Sequence, residues 1–286
     1  MKILMCHDGS NELDKAMRFA AAIAKACDAD VTLLGIVEPG SDDIAMKAHW
    51  QRARALLEDE HIRTELVSKP GPPVMEITEH TESHDYDLVI IGAGLAGVAM
   101  PAKAYELARR IEAPVLLFTG DRTALRKMLI CSGGKNYIEK AIADAGQIAR
   151  CTGASATLLH VCAEPPLIYA DLLSREEDVG ALLDSTSELG RNLRQQKGML
   201  EKAGIPVDVR LRHGMVVGRV IAEANQGDYD LIVLGSAMAR SPFYRYAVGD
   251  VTRDIVNRAT CPVLITRETL PSKAGGFWGR LFGSDT

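Results

Sequence analysis

The sequence predicts an α/β protein built of two tandem doubly wound domains, each a five-stranded parallel sheet flanked by helices, packed together as an internal pseudo-dimer. Three observations carry that reading: blocks of sequence recur along the chain, short β-rich apolar runs alternate with stretches of helical period, and each copy closes on a similar Pro-Val-Leu run.

The repeat sets the frame. Lys2-Ile3-Leu4-Met5-Cys6 aligns with Lys127-Met128-Leu129-Ile130-Cys131 at an offset of 125, which also carries Asn11 to Asn136, Lys15 to Lys140 and Thr32-Leu33-Leu34 to Thr157-Leu158-Leu159. Asp85-Tyr86-Asp87-Leu88 through Gly92 matches Asp228-Tyr229-Asp230-Leu231 through Gly235 at an offset of 143, so the second copy gains 18 residues in the loop after its second strand. Ala113-Pro114-Val115-Leu116-Leu117 matches Cys261-Pro262-Val263-Leu264-Ile265 and closes each copy. The join lies near Gly120 to Leu125, giving domains at 1–122 and 126–268 and a tail at 269–286.

Element by element, the strands of the first copy are expected at Lys2–Cys6, Asp30–Val37, about Arg63–Val67, Leu88–Gly92 and Val115–Phe118. The helix after the first strand starts at Ser10 or Asn11, both cap formers, and carries Leu13, Met17, Ala20, Ile23, Ala24 and Cys27 on one stripe. In the second copy Asn136, with Glu139 three residues on, resembles a capping box. The last strands, Val115–Phe118 and Val263–Thr266, would be bare edges alone, and antiparallel pairing across a pseudo-twofold removes that liability.

With 25% charged residues and a net charge of −5, the chain lacks the basic footprint that neutralises nucleic-acid phosphates. Its apolar runs are too short for a transmembrane segment and its amino terminus reads directly as a strand, so a cytoplasmic protein is expected. The six cysteines, Cys6, Cys27, Cys131, Cys151, Cys162 and Cys261, form no CxxC pair and read as small, reduced core hydrophobes.

The opening ILMCHDGS, the second strands TLLGIVEP and TLLHV, the fourth strands DYDLVIIGAG and DYDLIVLGSA, and the closing APVLLF and CPVLIT resemble the universal stress protein family in tandem form, over nearly the whole chain up to about Arg267. That resemblance implies pairing of domains through the last strand. In one subgroup it implies ATP held by an Asp after the first strand and a glycine loop after the fourth, whereas the other subgroup lacks nucleotide. Asp8 stands at the family's adenine-contacting Asp, and Val37 ends the second strand where backbone contacts adenine.

The family's phosphate loop reads Gly, two residues, Gly, nine residues, then Gly followed by Ser or Thr. The first copy offers Gly92, Gly94 and Gly97 but has Ala104-Tyr105 near the closing position. The second copy has Gly235-Ser236 and Gly249-Asp250, with Met238 at the middle glycine and Gly133 where Asp8 aligns. A carboxylate at Asp250 repels polyphosphate, with Arg240, Arg245 and Arg253 near enough in sequence to offset it.

The expected cofactor is therefore ATP or another adenine nucleotide such as AMP. The expected role is a non-catalytic stress-response protein that acts by binding a protein partner, with pairing of two chains as a homodimer a further expectation. Two alternatives stand beside it. Ser132-Gly133-Gly134-Lys135 resembles the pyrophosphate loop of ATP pyrophosphatases, departing from it at Asn136 and Tyr137. A ligand-free interaction protein would use the long loop from Glu164 to Ser187 and the tail, where Phe277, Trp278, Leu281 and Phe282 make one apolar stripe. Glu76, His80 and His84 share a helical face that reads as a solvated polar surface more readily than as a metal site, so no metal is assigned. His7 beside Asp8 reads as a structural residue, and no catalytic triad is discernible.

Overall fold

The computed structural model describes residues 1–7, 13–37, 43–92, 100–134, 138–162, 179–236 and 251–267. In chain order the first copy holds β1 (Lys2–His7), α1 (Leu13–Ala26), β2 (Asp30–Val37), α2 (Asp43–Asp59), β3 (Thr64–Pro70), α3 (Pro73–Ser83), β4 (Leu88–Ile91), α4 (Met100–Arg110) and β5 (Val115–Leu117). The second holds β6 (Lys127–Ser132), α5 (Glu139–Thr152), β7 (Ser155–Cys162), α6 (Val179–Asp184), α7 (Glu188–Lys202), β8 (Val207–His213), α8 (Val216–Gln226), β9 (Leu231–Ser236), α9 (Val251–Arg258) and β10 (Val263–Arg267).

These ten strands form one continuous sheet in the order β3-β2-β1-β4-β5-β10-β9-β6-β7-β8. Each copy contributes five strands paired in parallel, and the two edges meet antiparallel, with Val263 opposite Leu117, Leu264 opposite Leu116 and Ile265 opposite Val115. The expected pseudo-twofold seam is thus a ladder of main-chain hydrogen bonds, and neither closing strand is left as an edge. Side chains reinforce it: Thr119 Oγ1 donates to the Cys261 carbonyl, and the Arg267 guanidinium donates to the Arg109 carbonyl. β3 runs to Pro70, beyond the expected end at Val67, because its register with β2 holds as far as Val37 opposite Pro70.

Parallel strands covered on both faces read as continuous apolar runs, and β4 is buried at all four positions. On one face of the sheet the α1 stripe meets it through Met17, Ala20, Ile23 and Ala24, and that core continues without a break into the α5 residues Ile142, Ala145 and Ile148. The other face is covered through Ile77, Leu107, Val220 and Ile255. Phe19 and Phe118 pack with ring centroids 5.6 Å apart. Gly35 in β2 admits the Trp50 indole, which lies 2.1 Å from where a Cβ would stand.

The helices α1 and α5, equivalent by the repeat, also pack on each other across the seam. There Cys27, just past α1, and Cys151, in the last turn of α5, form a disulfide between the two copies. This corrects the expectation that all six cysteines are reduced core thiols. The two sulfurs meet only because the pseudo-twofold brings two non-adjacent helix ends together, a relation that no local spacing encodes. Cys6 and Cys261 are buried thiols as expected. Among the described residues no helix is long and apolar enough to cross a membrane.

Candidate functional site

Open parallel sheets bind ligands beyond the carboxyl ends of their strands, where the strand order turns back on itself. The fold has two such points, because β1 is flanked by β2 and β4, and β6 by β7 and β9. In the first copy, half-buried Val37 ends β2, and its carbonyl accepts the Gly71 N–H at 3.1 Å. Buried Gly92 follows β4 directly. Behind them Trp50, 2% exposed, is seated on Gly35, which is the register partner of His7 in β1. Asp8, Gly94 and Gly97 lie outside the described residues, as do Gly249, Asp250, Met238, Arg240 and Arg245. So do most of the long loop and the whole tail.

The second copy's loop is described as far as Gly134, and its polar groups are committed to the protein itself. Buried Ser132 donates its hydroxyl to Gln196 Oε1 at 2.7 Å and accepts the Gly134 N–H at 3.1 Å. His160 Nδ1 donates to the Ser132 carbonyl at 2.8 Å, and Asn192 Nδ2 donates to the Gly134 carbonyl at 2.8 Å. A Cβ on Gly134, at φ +73°, would stand 2.8 Å from Leu189 Cδ1. Leu189, Asn192 and Gln196 all come from α7, which follows the 18-residue insertion. A pyrophosphate loop turns its amides toward the anion, whereas here the Gly134 amide turns to Ser132. Gly133 alone of this trio is exposed. Gly235 also has a packing role, since a Cβ there would lie 3.2 Å from Ile138 Cγ1 and 3.4 Å from Ala141 Cβ. Ser236 ends β9. The capping-box reading is corrected at Glu139: α5 begins at that residue with Ile138 at its N-cap and no side-chain cap, and the Glu139 carboxylate accepts from Gln195 Nε2 instead, while Asn136 lies outside the described residues.

The face of α3 that was expected to be a solvated polar surface is corrected by His80, which is 3% exposed. Its Nε2 lies 2.8 Å from the Tyr86 hydroxyl, its ring stacks on His84 at 4.4 Å, and its carbonyl accepts from His84 Nδ1. Burial first, then the neighbouring His84 and Lys69, push His80 down to about 4, so the ring is neutral at pH 7. Among the described residues no group of three His, Cys, Asp or Glu side chains converges as a metal site.

The repeat places Glu223, 2% exposed, where the first copy has His80. Its carboxylate takes Arg210 Nη1 at 2.7 Å and Arg212 Nε at 2.9 Å, and the Tyr229 hydroxyl stands 3.4 Å away. Tyr86 and Tyr229 also bond Thr32 and Thr157 of the neighbouring strands. The last Asp of each Asp-Tyr-Asp run anchors the start of a first strand: Asp87 accepts the Lys2 N–H at 2.8 Å, and Asp230 accepts the Lys127 N–H at 3.0 Å. The duplicated motif thus fastens the fold. Its recurrence was visible in the sequence, but its partners sit about 85 to 105 positions away along the chain.

The family model for the universal stress protein family matches the chain twice, over residues 1–119 and 124–267. A universal stress protein of Methanocaldococcus jannaschii is 23% identical over 143 residues, which is 50% of this chain and 82% of that protein. A universal stress protein from Archaeoglobus fulgidus superposes with a TM-score of 0.65 at 17% identity, covering 93% of this chain and 96% of its own. A putative universal stress protein from Pseudomonas aeruginosa superposes with a TM-score of 0.66 at 17% identity, covering 93% and 92%. At that identity the two structures establish the shared fold.

Proposed function

Since the chain belongs to the universal stress protein family in its tandem, two-domain form, we propose that it is a non-catalytic stress-response protein that binds an adenine nucleotide by its adenosine end in the first domain and acts through a protein partner. The two domains are taken as residues 1–122 and 126–268, with 269–286 as an attached tail, and the setting as the cytoplasm.

One observation carries the choice of domain. In the second copy the Ser132 hydroxyl and the Ser132 and Gly134 carbonyls are spent on Gln196, His160 and Asn192, while the first copy keeps Asp8 at the position that aligns with Gly133. Asp8 and Val37 belong to the base and ribose half of a site. The glycine spacing departs from a phosphate loop both after β4 and after β9, so transition-state charge on a transferring phosphoryl group lacks its usual cradle. Binding without turnover follows, with little dependence on phosphate number.

Small molecules released from the purified protein by denaturation, identified by mass spectrometry, test the first half of this reading, and calorimetric titration of ATP, ADP and AMP tests the second. An adenine nucleotide is expected, with the three affinities within about fivefold of one another, a spread of about 1 kcal/mol. No bound nucleotide and no heat at millimolar ligand would remove it and leave a ligand-free interaction protein. Release of pyrophosphate from ATP with a co-substrate would instead favour an enzyme working through Ser132.

A further inference from the structure

The disulfide between the two copies lies on helices that are already held in place without it. α1 and α5 bury their apolar stripes in one core that spans both copies, and β5 and β10 join the halves by their own ladder. Cys27 and Cys151 are nevertheless 124 residues apart in sequence, with Cα atoms 5.0 Å apart, within the range a disulfide spans without backbone movement. Their separation differs by one residue from the repeat offset of 125, so the pair sits beside the pseudo-twofold, where each helix end meets its own counterpart.

Proximity and access together mark these two sulfurs, since Cys131 and Cys162 are half-buried as well but form no disulfide with each other or with them. Both cysteines are half-buried, within reach of a small thiol. Cys6 is 0% and Cys261 2% exposed, and burial raises both thiols. Burial pushes Cys131 up to about 12. Thiol–disulfide exchange needs an approach to sulfur along an open line, which burial closes at Cys6 and Cys261, and of the half-buried cysteines Cys27 and Cys151 are the pair that the fold brings within bonding reach.

The environment also selects the kind of chemistry. Both sulfurs sit at helix C-termini, where the field of the last carbonyls disfavours a thiolate, and the Cys151 Sγ faces the Gln147 carbonyl. A fast peroxide sensor needs the opposite field. Slow equilibration with a pool of small thiols and disulfides suits this one.

We propose that Cys27 and Cys151 form a reversible redox site that exchanges with low-molecular-weight disulfides and clamps the two domains together when oxidised. The reaction balances as protein dithiol plus one small disulfide giving protein disulfide plus two small thiols. One protein thiolate attacks the small disulfide and expels the first thiol. The second protein thiolate then attacks the mixed disulfide and expels the other. Because α1 and α5 lead away from the strand-end loops after β1 and β6, the clamp ties together the helices that leave both switch points. The proposal stands apart from the nucleotide reading.

The test uses the full chain equilibrated in glutathione buffers from fully reduced to fully oxidised, quenched with acid, alkylated and mapped by mass spectrometry, with circular dichroism followed in parallel. The peptide linking Cys27 to Cys151, lighter by two hydrogens than its reduced parts, is expected to rise and fall with the buffer while the spectrum stays native. Cys27→Ser and Cys151→Ser should each abolish it without loss of fold. A link that persists in fully reduced buffer while the protein is folded, one that never forms in fully oxidised buffer, or one that joins other cysteines would overturn the proposal. So would a reduced protein, or both serine variants, losing the native spectrum, because the bond would then be structural.

Discussion

His80 and Glu223 occupy one position of the repeat and meet the cost of burial in different ways: the imidazole sheds its charge, and the carboxylate is flanked by Arg210 and Arg212. For His80 the linkage has a definite sign. The folded ring titrates at about 4, whereas a free His titrates near 6.5. Between those values the unfolded chain binds a proton that the folded chain does not. The contribution to stability is complete above about pH 6.5 and is lost as pH falls toward 4, about 3 kcal/mol at most. His80→Gln should therefore flatten the dependence of unfolding free energy on pH between 4 and 6.5, measured by urea denaturation, and an unchanged slope would show that His80 does not carry it. Sequence reading found His80 and His84 but assigned them to a wet surface. Helical spacing gives a shared face and does not say which neighbour covers it, and Tyr86 closes over His80 only through the turn into β4.

At the scale of elements, alternation of apolar runs located nearly every strand within a few residues, because buried parallel strands must be continuously apolar. The glycines were harder to read. Gly134 and Gly235 stand in loops that resemble ligand loops, yet one is closed off by Leu189 and the other lets β9 approach Ile138 and Ala141. A missing Cβ serves phosphate approach and helix packing equally, so the residue type alone could not separate them. Gly35 shows the packing use most directly. Gly35→Ala would drive a methyl group into the Trp50 ring, with an expected cost of about 1–3 kcal/mol and a red-shifted, brighter or quenched indole signal as the ring is displaced. Trp278 is the second indole and needs a Trp278→Phe background to isolate Trp50. Wild-type stability and emission in that variant would contradict the packing.

At the scale of the whole molecule, the described strands form one ten-stranded sheet in which the seam replaces two exposed edges by a ladder, and the duplicated closing runs made that legible from sequence. The clamp from Cys27 to Cys151 was not legible, because it depends on how the two copies dock. A fragment of residues 1–122 bares β5 and should pair with a second copy through it, so light scattering coupled to gel filtration is expected to report a dimer. A stable monomer would mean that the ladder is not what joins the copies. The claim on which the functional account rests is that the adenine nucleotide sits in the first domain. Calorimetric titration of AMP against the wild type, Asp8→Ala and Gly249→Val tests it most directly. The account predicts that Asp8→Ala loses at least about tenfold in affinity, about 1.4 kcal/mol, while Gly249→Val stays within about twofold of the wild type. Loss of binding in Gly249→Val with Asp8→Ala intact would contradict it and move the ligand to the second domain.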